Sequence, residues 1–228
     1  MVTLAVIPAR GGSKGVIRKN LRLVNGSSLL ERAIKSANTP LIDDVLVSTE
    51  DVEIRAEAIK CGALVPFQRP LEYASDEAAT VDVVMNAVSN YQSWSGRTVT
   101  TVVLLEPTSP FRKVSHVEAG LRLMKGEKYK SLVSVCPVDR KPQNIYEKTE
   151  FLTKYIRDPI ETFTRRQDMK HLCRINSAIY IFLWNDFRST KQFFSDPLGW
   201  IDMDAEESIN IDTELDLKIC ELVAEKLD

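Results

Sequence analysis

The residues with the clearest chemical potential lie near the start of the chain, in the stretch P-A-R-G-G-S-K-G-V-I-R-K-N over residues 8–20. The apolar run over residues 4–7 predicts a buried strand that leads directly into this stretch. Glycine allows a backbone to approach a ligand closely, and successive N–H groups in such a loop form a concavity for anions. Three glycines and four cations together therefore predict a polyphosphate site. The cations are Arg10, Lys14, Arg18 and Lys19.

Two other phosphate-binding motifs are absent from the sequence. There is no G-x-x-x-x-G-K-[ST], which excludes a P-loop, and no G-x-G-x-x-G, which argues against a nicotinamide dehydrogenase. The pattern P-A-R-G-G-S-K-G-x-x-x-K-N instead resembles the opening of the CMP-N-acetylneuraminate synthetases, the bacterial sialic acid cytidylyltransferases. Ile17 stands where that family usually has proline. The resemblance implies that the loop holds the triphosphate of CTP through Ala9, Arg10, Gly11, Gly12, Ser13, Lys14, Lys19 and Asn20.

Composition limits the class of protein. The 228 residues suffice for one α/β domain with a sizeable core, and the net charge of −2 with mixed signs gives no indication of a nucleic-acid or membrane partner. No apolar run approaches the roughly 18 residues of a membrane span. The four cysteines form no C-x-x-C pair, and the first residues show no leader pattern. We therefore expect a cytoplasmic protein with free thiols.

Alternating strand and helix patterns predict an α/β fold, a mostly parallel sheet with helices on both faces. The resemblance specifies a Rossmann-like nucleotidyltransferase fold in a single domain, residues 1–228. The polar stretch 137–172 is too long for an ordinary connection, and the resemblance implies an extended dimerisation arm that also closes the sugar site. Strands are predicted at 4–7, 44–49, 63–67, 100–105, 131–135 and 178–183, and helices at 28–37, 51–61, 76–91, 114–124 and 214–226.

Two further motifs match the family. In the first, Arg69 and Thr80 correspond to residues that seat cytosine and ribose, while Ser75-Asp76 is interpreted as a helix N-cap. The second is L-L-E-P-T-S-P-F-R over residues 104–112, placed after a strand where open α/β sheets bind ligands. Glu106 replaces the glutamine with which the family holds its sugar. An ionised carboxylate cannot donate a hydrogen bond and repels a sugar carboxylate, so Glu106 leaves the exact sugar open.

The sugar acid needs cations for its carboxylate. The guanidinium group of arginine can form a bidentate pair with a carboxylate, and Arg166 and Arg174 are the candidates. Gln167 and Asn176 are the candidates for contacts with the hydroxyl and acylamino groups of the sugar. Whether Arg165 or Arg166 reaches the sugar is left open. The segment 174–180 matches the family pattern R-x-N-G-A-I-Y, with Ser177 in place of glycine.

A possible metal site lies near the carboxyl end. The family reads S-x-D-I-D-T-x-x-D-L, in which the first two aspartates bind Mg²⁺, whereas this chain has Asn210 and Asp212. An amide oxygen can still ligate Mg²⁺, but without charge, so Asp212 becomes the main protein ligand. One or two ions are both possible at this point. Thr213 and Asp216 are assigned to helix capping.

These motifs predict a homodimeric, Mg²⁺-dependent CTP:acylneuraminate cytidylyltransferase that activates a sialic acid or related nine-carbon nonulosonic acid as its CMP derivative and releases pyrophosphate. Legionaminic and pseudaminic acids are alternative substrates, whereas Kdo is disfavoured because its enzymes usually have arginine at the position of Lys14. A catalytically weak nucleotide-binding or sugar-binding module is a further alternative, raised by Glu106, Ser177 and Asn210. The residues expected to act in catalysis are Arg10, Lys14, Lys19 and Asp212.

Overall fold

Strands and helices alternate along most of the chain. A computed structural model describes residues 1–138 and 172–227, together with the backbone of two short strands between them. The strands are β1 (Val2–Pro8), β2 (Leu23–Val24), β3 (Ser27–Ser28), β4 (Asp44–Ser48), β5 (Val99–Leu105), β6 (Ser131–Pro137), β7 (Tyr146–Lys148), β8 (Leu152–Lys154), β9 (Cys173–Leu183) and β10 (Leu198–Asp202). The α-helices are α1 (Leu29–Ser36), α2 (Val52–Lys60), α3 (Thr80–Ser95), α4 (Val114–Met124), α5 (Trp184–Thr190) and α6 (Glu214–Leu227), and Lys19–Leu21 and Leu71–Tyr73 form 3-10 turns.

The main sheet has six strands in the order β10-β6-β9-β5-β1-β4. β1 is parallel to both β4 and β5, and β6 is parallel to β10. β9 runs antiparallel between β5 and β6, so it is the one reversed strand of this sheet. The chain crosses from β4 on one side of β1 to β5 on the other, which opens a crevice at the carboxyl ends of β1 and β5. The predicted fold class is confirmed.

Helices cover both faces of the sheet. Along β1, Val2, Leu4 and Val6 pack with α3 and α5, whereas Ala5 and Ile7 pack with α1, α2 and α4. All five side chains are fully buried. A strand buried on both faces is apolar at nearly every position, which is why β1 and β5 lack the alternation of a half-exposed strand. The α6 helix packs in a third cluster with Val24, close to the small β2–β3 hairpin.

The main boundary error concerns α3. This helix begins at Thr80, not at residue 76, and its N-cap position is Ala79, which makes no side-chain cap. The interpretation of Ser75-Asp76 as the N-cap is therefore wrong, because the Asp76 carboxylate is engaged elsewhere in the fold. The predicted strand over 63–67 is reduced to a single parallel bridge between Leu46 and Leu64.

Other local predictions are confirmed. Thr213 and Asp216 cap α6 reciprocally, since the Asp216 amide donates to Thr213 Oγ1 (3.2 Å) and the Thr213 amide donates to Asp216 Oδ2 (2.7 Å). The four cysteines are free thiols. In the described part of the chain, no helix is long and apolar enough to cross a membrane.

Most of the predicted arm, 137–172, lies outside the described residues. Within it, β7 and β8 pair antiparallel, with residue 146 opposite residue 154. Immediately after the arm, Ser177 adopts a left-handed backbone with φ of 60°. Such a conformation favours glycine, which explains why the resembling family has glycine at this position.

Candidate functional site

A cleft of about 490 Å³ lies at the carboxyl ends of β1 and β5, where the strand order predicts a binding site. Residues from four separated segments meet in it, and half of the lining residues were predicted from sequence. The cleft is lined by Pro8, Arg10, Ser13, Lys14, Gly15, Lys19, Asn20, Arg69, Tyr73, Ser75, Asp76, Ala78, Thr80, Val83, Glu106, Pro107, Thr108 and Asp212. Four cations and three carboxylates thus share one cavity, an arrangement suited to a polyanion with a divalent cation.

The glycine-rich loop is held in shape by side chains that bond to its backbone. Asn20 is buried and its amide donates to the Arg10 carbonyl (2.9 Å), so its side chain supports the loop from beneath. The Gly11 amide donates to Glu50 Oε1 (2.7 Å). A Cβ on Gly11 would lie 2.4 Å from Asp51 Oδ2, and one on Gly15 would lie 2.0 Å from the Asp212 carbonyl oxygen. Both glycines are therefore required for close packing.

Some predicted loop residues do not reach the cleft. Ala9 is fully buried, and neither it nor Gly11 nor Gly12 lines the cavity, so these residues shape the loop. Arg18 points away from the cleft: it pairs with Asp51 (2.9 Å), which also caps α2, and with Glu53 (2.6 Å).

The three cations of the basic loop that line the cleft are each paired with an acid there. Arg10 Nη2 lies 2.7 Å from Asp76 Oδ1, and Lys14 Nζ lies 2.5 Å from Asp76 Oδ2. Lys19 Nζ donates to the Ile211 carbonyl (2.8 Å) and to Asp212 Oδ1 (3.2 Å). The Lys14 side chain is 82 % exposed, whereas that of Lys19 is 16 % exposed, so the two lysines differ in freedom of movement.

Arg69 forms one wall of the cleft and is not a surface ion pair. Its side chain is buried, with Nε donating to Ser48 Oγ (3.1 Å) and Nη2 donating to the Ser48 carbonyl. Burial lowers the pKa of Arg69 to about 10, and the charges of Glu50 and Glu106 oppose that effect. Arg69 thus ties the end of β4 to the cavity and presents a fixed cation to it. Thr80, at the start of α3, lines the same wall.

Glu106 follows β5 at the floor of the cleft. Burial raises the pKa of its carboxyl to about 7, against the opposing effect of Arg112, Arg69 and Lys19. Near neutral pH this side chain is consequently divided between an acid that can donate a hydrogen bond and a carboxylate that cannot. Arg112 holds the surrounding backbone, donating to the carbonyls of Glu106 (3.0 Å) and Ala178 (2.6 Å).

An aromatic group beside Glu106 was missed by the sequence analysis. Burial raises the pKa of Tyr180 on β9, and the Glu106 carboxylate adds to that rise. The Tyr180 ring lies 5.6 Å from the Phe193 ring and 6.2 Å from the Phe194 ring, measured between centroids. Phe194 is half exposed. The sequence signal that could have indicated this aromatic group is the pair Phe193-Phe194, which lies in an otherwise polar stretch.

The sugar-site predictions on β9 have different outcomes. Asn176 is buried, and its amide oxygen accepts from Ser134 Oγ (2.5 Å) while its nitrogen donates to Ser208 Oγ (2.8 Å). A direct sugar contact by Asn176 is therefore contradicted, because both polar atoms are used within the core. Arg174 is exposed on β9, beyond the residues that pair with β5, and does not line the cleft. Arg165, Arg166 and Gln167 lie outside the described residues.

The predicted metal ligands are adjacent in space. Asn210 Nδ2 donates to Asp212 Oδ2 (2.9 Å), and the segment is fixed by the Ile211 amide, which donates to the Thr108 carbonyl (2.9 Å). Asn210 Oδ1 is buried without a hydrogen-bond partner in the described part of the chain. Across residues 1–138 and 172–227, no group of three or more His, Cys, Asp or Glu side chains forms a metal cluster.

Comparison with known proteins shows similarity along nearly the whole chain. Residues 4–209 match the model of a family described as cytidylyltransferase. A CMP-N,N'-diacetyllegionaminic acid synthase of Legionella pneumophila is 31 % identical over 99 % of this chain and 97 % of its own length. An N-acylneuraminate cytidylyltransferase of Escherichia coli is also 31 % identical, over 98 % of this chain but 52 % of its own length. Among solved structures, a CMP:2-keto-3-deoxy-manno-octonic acid synthetase complexed with CTP covers 100 % of both chains with a TM-score of 0.70 at 16 % identity.

Proposed function

The chain belongs to the cytidylyltransferase family, and from this membership we propose that it activates a sialic acid or related nonulosonic acid with CTP, giving the CMP-sugar and pyrophosphate. The observation that supports this function best is the cleft itself. It joins the basic loop, Arg69 and Asp212 at the carboxyl ends of β1 and β5. The CMP-N,N'-diacetyllegionaminic acid synthase of Legionella pneumophila, which is similar to this chain over nearly its full length, is named for a nine-carbon acid, which favours that substrate class over Kdo.

The proposed reaction is an in-line displacement at phosphorus. The anomeric hydroxyl of the sugar attacks the α-phosphorus of CTP, the bond from that phosphorus to the bridging oxygen breaks, and pyrophosphate leaves. Arg10, Lys14 and Lys19 line the cleft and are the cations assigned to the triphosphate. They stabilise negative charge on the leaving pyrophosphate, and Arg69 and Thr80 are assigned to cytosine and ribose. Catalysis is mainly positioning and electrostatic stabilisation, with no covalent enzyme intermediate.

The residues present fit a Mg²⁺ ion. Asp212 faces the cleft with a carboxylate, and the neighbouring Asn210 has an oxygen without a hydrogen-bond partner among the described residues. Mg²⁺ is usually bound through one or two protein oxygens plus phosphate oxygens and water, which matches this sparse donor set. Bound there, the ion would neutralise phosphate charge and lower the pKa of a coordinated hydroxyl. Lys19, which donates to Asp212 Oδ1, holds that carboxylate toward the cleft.

The sugar is proposed to bind on the Glu106 side of the cleft. Protonated Glu106 offers a donor and an acceptor to a hydroxyl or acylamino group, and the nearby Tyr180 ring is assigned to the apolar part of the sugar. Arg174, with Arg166 and Gln167 from the arm, is assigned to the sugar carboxylate and polar groups. The site is further proposed to be completed in a cytoplasmic homodimer, in which the arm covers a second subunit.

A substrate panel tests the proposed function directly. The protein is incubated with each nucleoside triphosphate, Mg²⁺ and N-acetylneuraminic, legionaminic, pseudaminic or octulosonic acid, and released pyrophosphate is measured. We expect pyrophosphate only with CTP and a nine-carbon acid. Its absence with every pair, from a protein that is folded by circular dichroism, would reject the function.

Arg10→Ala and Lys14→Ala test the assignment of the basic loop. Each removes a cation that faces the triphosphate, and each should raise the barrier by about 2–4 kcal/mol, as removal of one preorganised donor does. Arg18→Ala is the matched control, since it removes a cation of the same loop that points away from the cleft. Initial rates at saturating CTP are compared. Turnover within threefold of wild type for both cleft variants would contradict the assignment.

A further inference from the structure

One carboxylate spans two of the basic-loop cations that line the cleft. Asp76 Oδ1 pairs with Arg10 and Asp76 Oδ2 pairs with Lys14, at 2.7 and 2.5 Å. All three residues line the cleft. The Lys14 hydrogen bond is the main cause that lowers the pKa of the Asp76 carboxyl, followed by the Arg10 hydrogen bond. The loop cations that await a phosphate are thus bound to an anion of the protein.

The position of Asp76 in the fold argues against a purely structural role. It lies between the 3-10 turn Leu71–Tyr73 and the start of α3, and it caps neither element. Asp51 shows what a structural carboxylate does in this protein: it caps α2 through the Glu53 and Ile54 amides while it pairs with Arg18. Within residues 1–138 and 172–227, the side-chain partners of Asp76 are the two loop cations.

These ion pairs are also easy to exchange. The Asp76 side chain is 39 % exposed, and pairs at such exposure are weak because water screens them. A phosphate oxygen and a carboxylate oxygen compete for the same N–H donors, and a triphosphate has more charge and more acceptors than one carboxylate. A polyphosphate would therefore compete with Asp76 for Arg10 and Lys14 against a small opposing free energy.

We propose that Asp76 is a positioning residue that acts as the internal counter-ion of the basic loop. Asp76 holds Arg10 and Lys14 at the cleft through ion pairs when no polyphosphate is bound. The triphosphate of CTP replaces Asp76 as their partner, and the ion pairs with Asp76 form again as pyrophosphate leaves. This inference rests on the proposed function, because it requires that these cations bind CTP. It assigns to the segment before α3 a role in product release.

The direction of the effect on binding distinguishes this role from structural support. If Asp76 competes with phosphate, Asp76→Asn should bind pyrophosphate and CTP roughly three- to tenfold more tightly than wild type. If Asp76 only ordered the loop, its removal would weaken both ligands. Asp76→Glu keeps the carboxylate and should restore binding to near the wild-type value.

The experiment is calorimetric titration of pyrophosphate and of CTP into wild type, Asp76→Asn, Asp76→Glu and Glu77→Gln. Glu77→Gln removes the same charge from the adjacent exposed residue, which does not line the cleft, and should leave both affinities unchanged. Steady-state rates add a second measurement: in Asp76→Asn the KM for CTP and the inhibition constant for pyrophosphate should fall together.

Three outcomes would overturn the inference. Equal or weaker pyrophosphate binding by Asp76→Asn, with wild type binding CTP normally, rejects the role of Asp76 and leaves the proposed function intact. Failure of the wild-type protein to bind CTP and pyrophosphate rejects the proposed function itself, and the role of Asp76 with it. If Glu77→Gln increased the affinity for both ligands as much as Asp76→Asn does, the cause would be the loss of one negative charge in general, and the specific role of Asp76 would be rejected.

Discussion

At the scale of single residues, Glu106 is the departure from the family pattern with the clearest physical consequence. Burial raises the pKa of its carboxyl to about 7, so near neutral pH a large fraction is protonated. A protonated carboxyl has one donor and one acceptor, as the glutamine of the resembling family has. The substitution therefore preserves hydrogen-bonding chemistry at low pH and loses it as the pH rises.

This titration predicts a pH-dependent cost in stability. The ordinary glutamate pKa is 4.5 and the folded value is about 7, so the folded state binds the proton more tightly. The contribution is fully present below pH 4.5 and is lost as the pH rises to about 7, a change of about 3 kcal/mol. We expect Glu106→Gln to match wild type near pH 5 and to exceed it at pH 8. Denaturant unfolding across that range measures the difference.

The same titration should appear in sugar binding. Above pH 7 the ionised carboxylate repels the sugar carboxylate, so the wild-type KM for the sugar should rise while that of Glu106→Gln stays flat. Parallel profiles in the two proteins, for both stability and KM, would place the titrating group elsewhere.

The pair Asn210 and Asp212 predicts how the metal dependence changes with charge. Asp212→Asn removes the formal charge that this motif offers to Mg²⁺ and should abolish turnover, because Mg²⁺ binds through few carboxylates. Asn210→Asp should lower the Mg²⁺ concentration for half-maximal rate. A Mg²⁺ titration of initial rates for wild type and both variants makes the comparison. Wild-type turnover at an unchanged midpoint in Asp212→Asn would show that the ion is held elsewhere.

At the scale of elements, the site depends on how closely two segments approach. The basic loop after β1 packs directly on the segment before α6, so that Gly15 meets the Asp212 carbonyl. That second segment is anchored by Ser208, which accepts from the Asn176 amide, and by Glu207, which pairs with Lys113 and His116. These hydrogen bonds and ion pairs thus position Asp212 beside the cations of the basic loop.

Gly15→Ala tests this packing. The added Cβ would lie 2.0 Å from a backbone oxygen, so the two segments must separate, at a cost of about 1–3 kcal/mol in unfolding free energy. Gly12→Ala adds the same methyl group where nothing lies within 4 Å, and its unfolding free energy should change little. Denaturant unfolding of both variants gives the comparison. Equal stability would mean that the loop yields without strain.

At the scale of the whole molecule, we predict a homodimer. The stretch 137–172 is too polar to form a core of its own, yet it contains apolar residues that need a covering surface. These are Phe151, Tyr155, Ile156, Ile160 and Phe163. Light scattering at micromolar concentration should give the mass of two chains, and a variant with serine at positions 156 and 163 should shift toward one. A single-chain mass for wild type would contradict the prediction.

The sequence by itself determined the fold class, most strand and helix positions, and the glycine-rich basic motif that follows β1. Apolar runs such as those of β1 and β5 are local signals of strands buried on both faces. The motif around Lys14 depends on residue types and spacing within one loop, which a sequence displays directly. For the same reason the cap of α6 was predictable, since a cap joins residues only a few positions apart.

Only the tertiary structure decided which side chains face the cleft and what they meet there. Asp76 has the local sequence pattern of a helix cap, but the two cations with which it forms ion pairs lie some sixty residues earlier in the chain. Asn176 matches a sugar-binding motif, yet Ser134 and Ser208 use its amide in the core. The protonation of Glu106 likewise follows from its burial, against the opposing effect of Arg112, Arg69 and Lys19. Pairing, burial and local electric field depend on distances between remote segments, which residue spacing along the chain does not record.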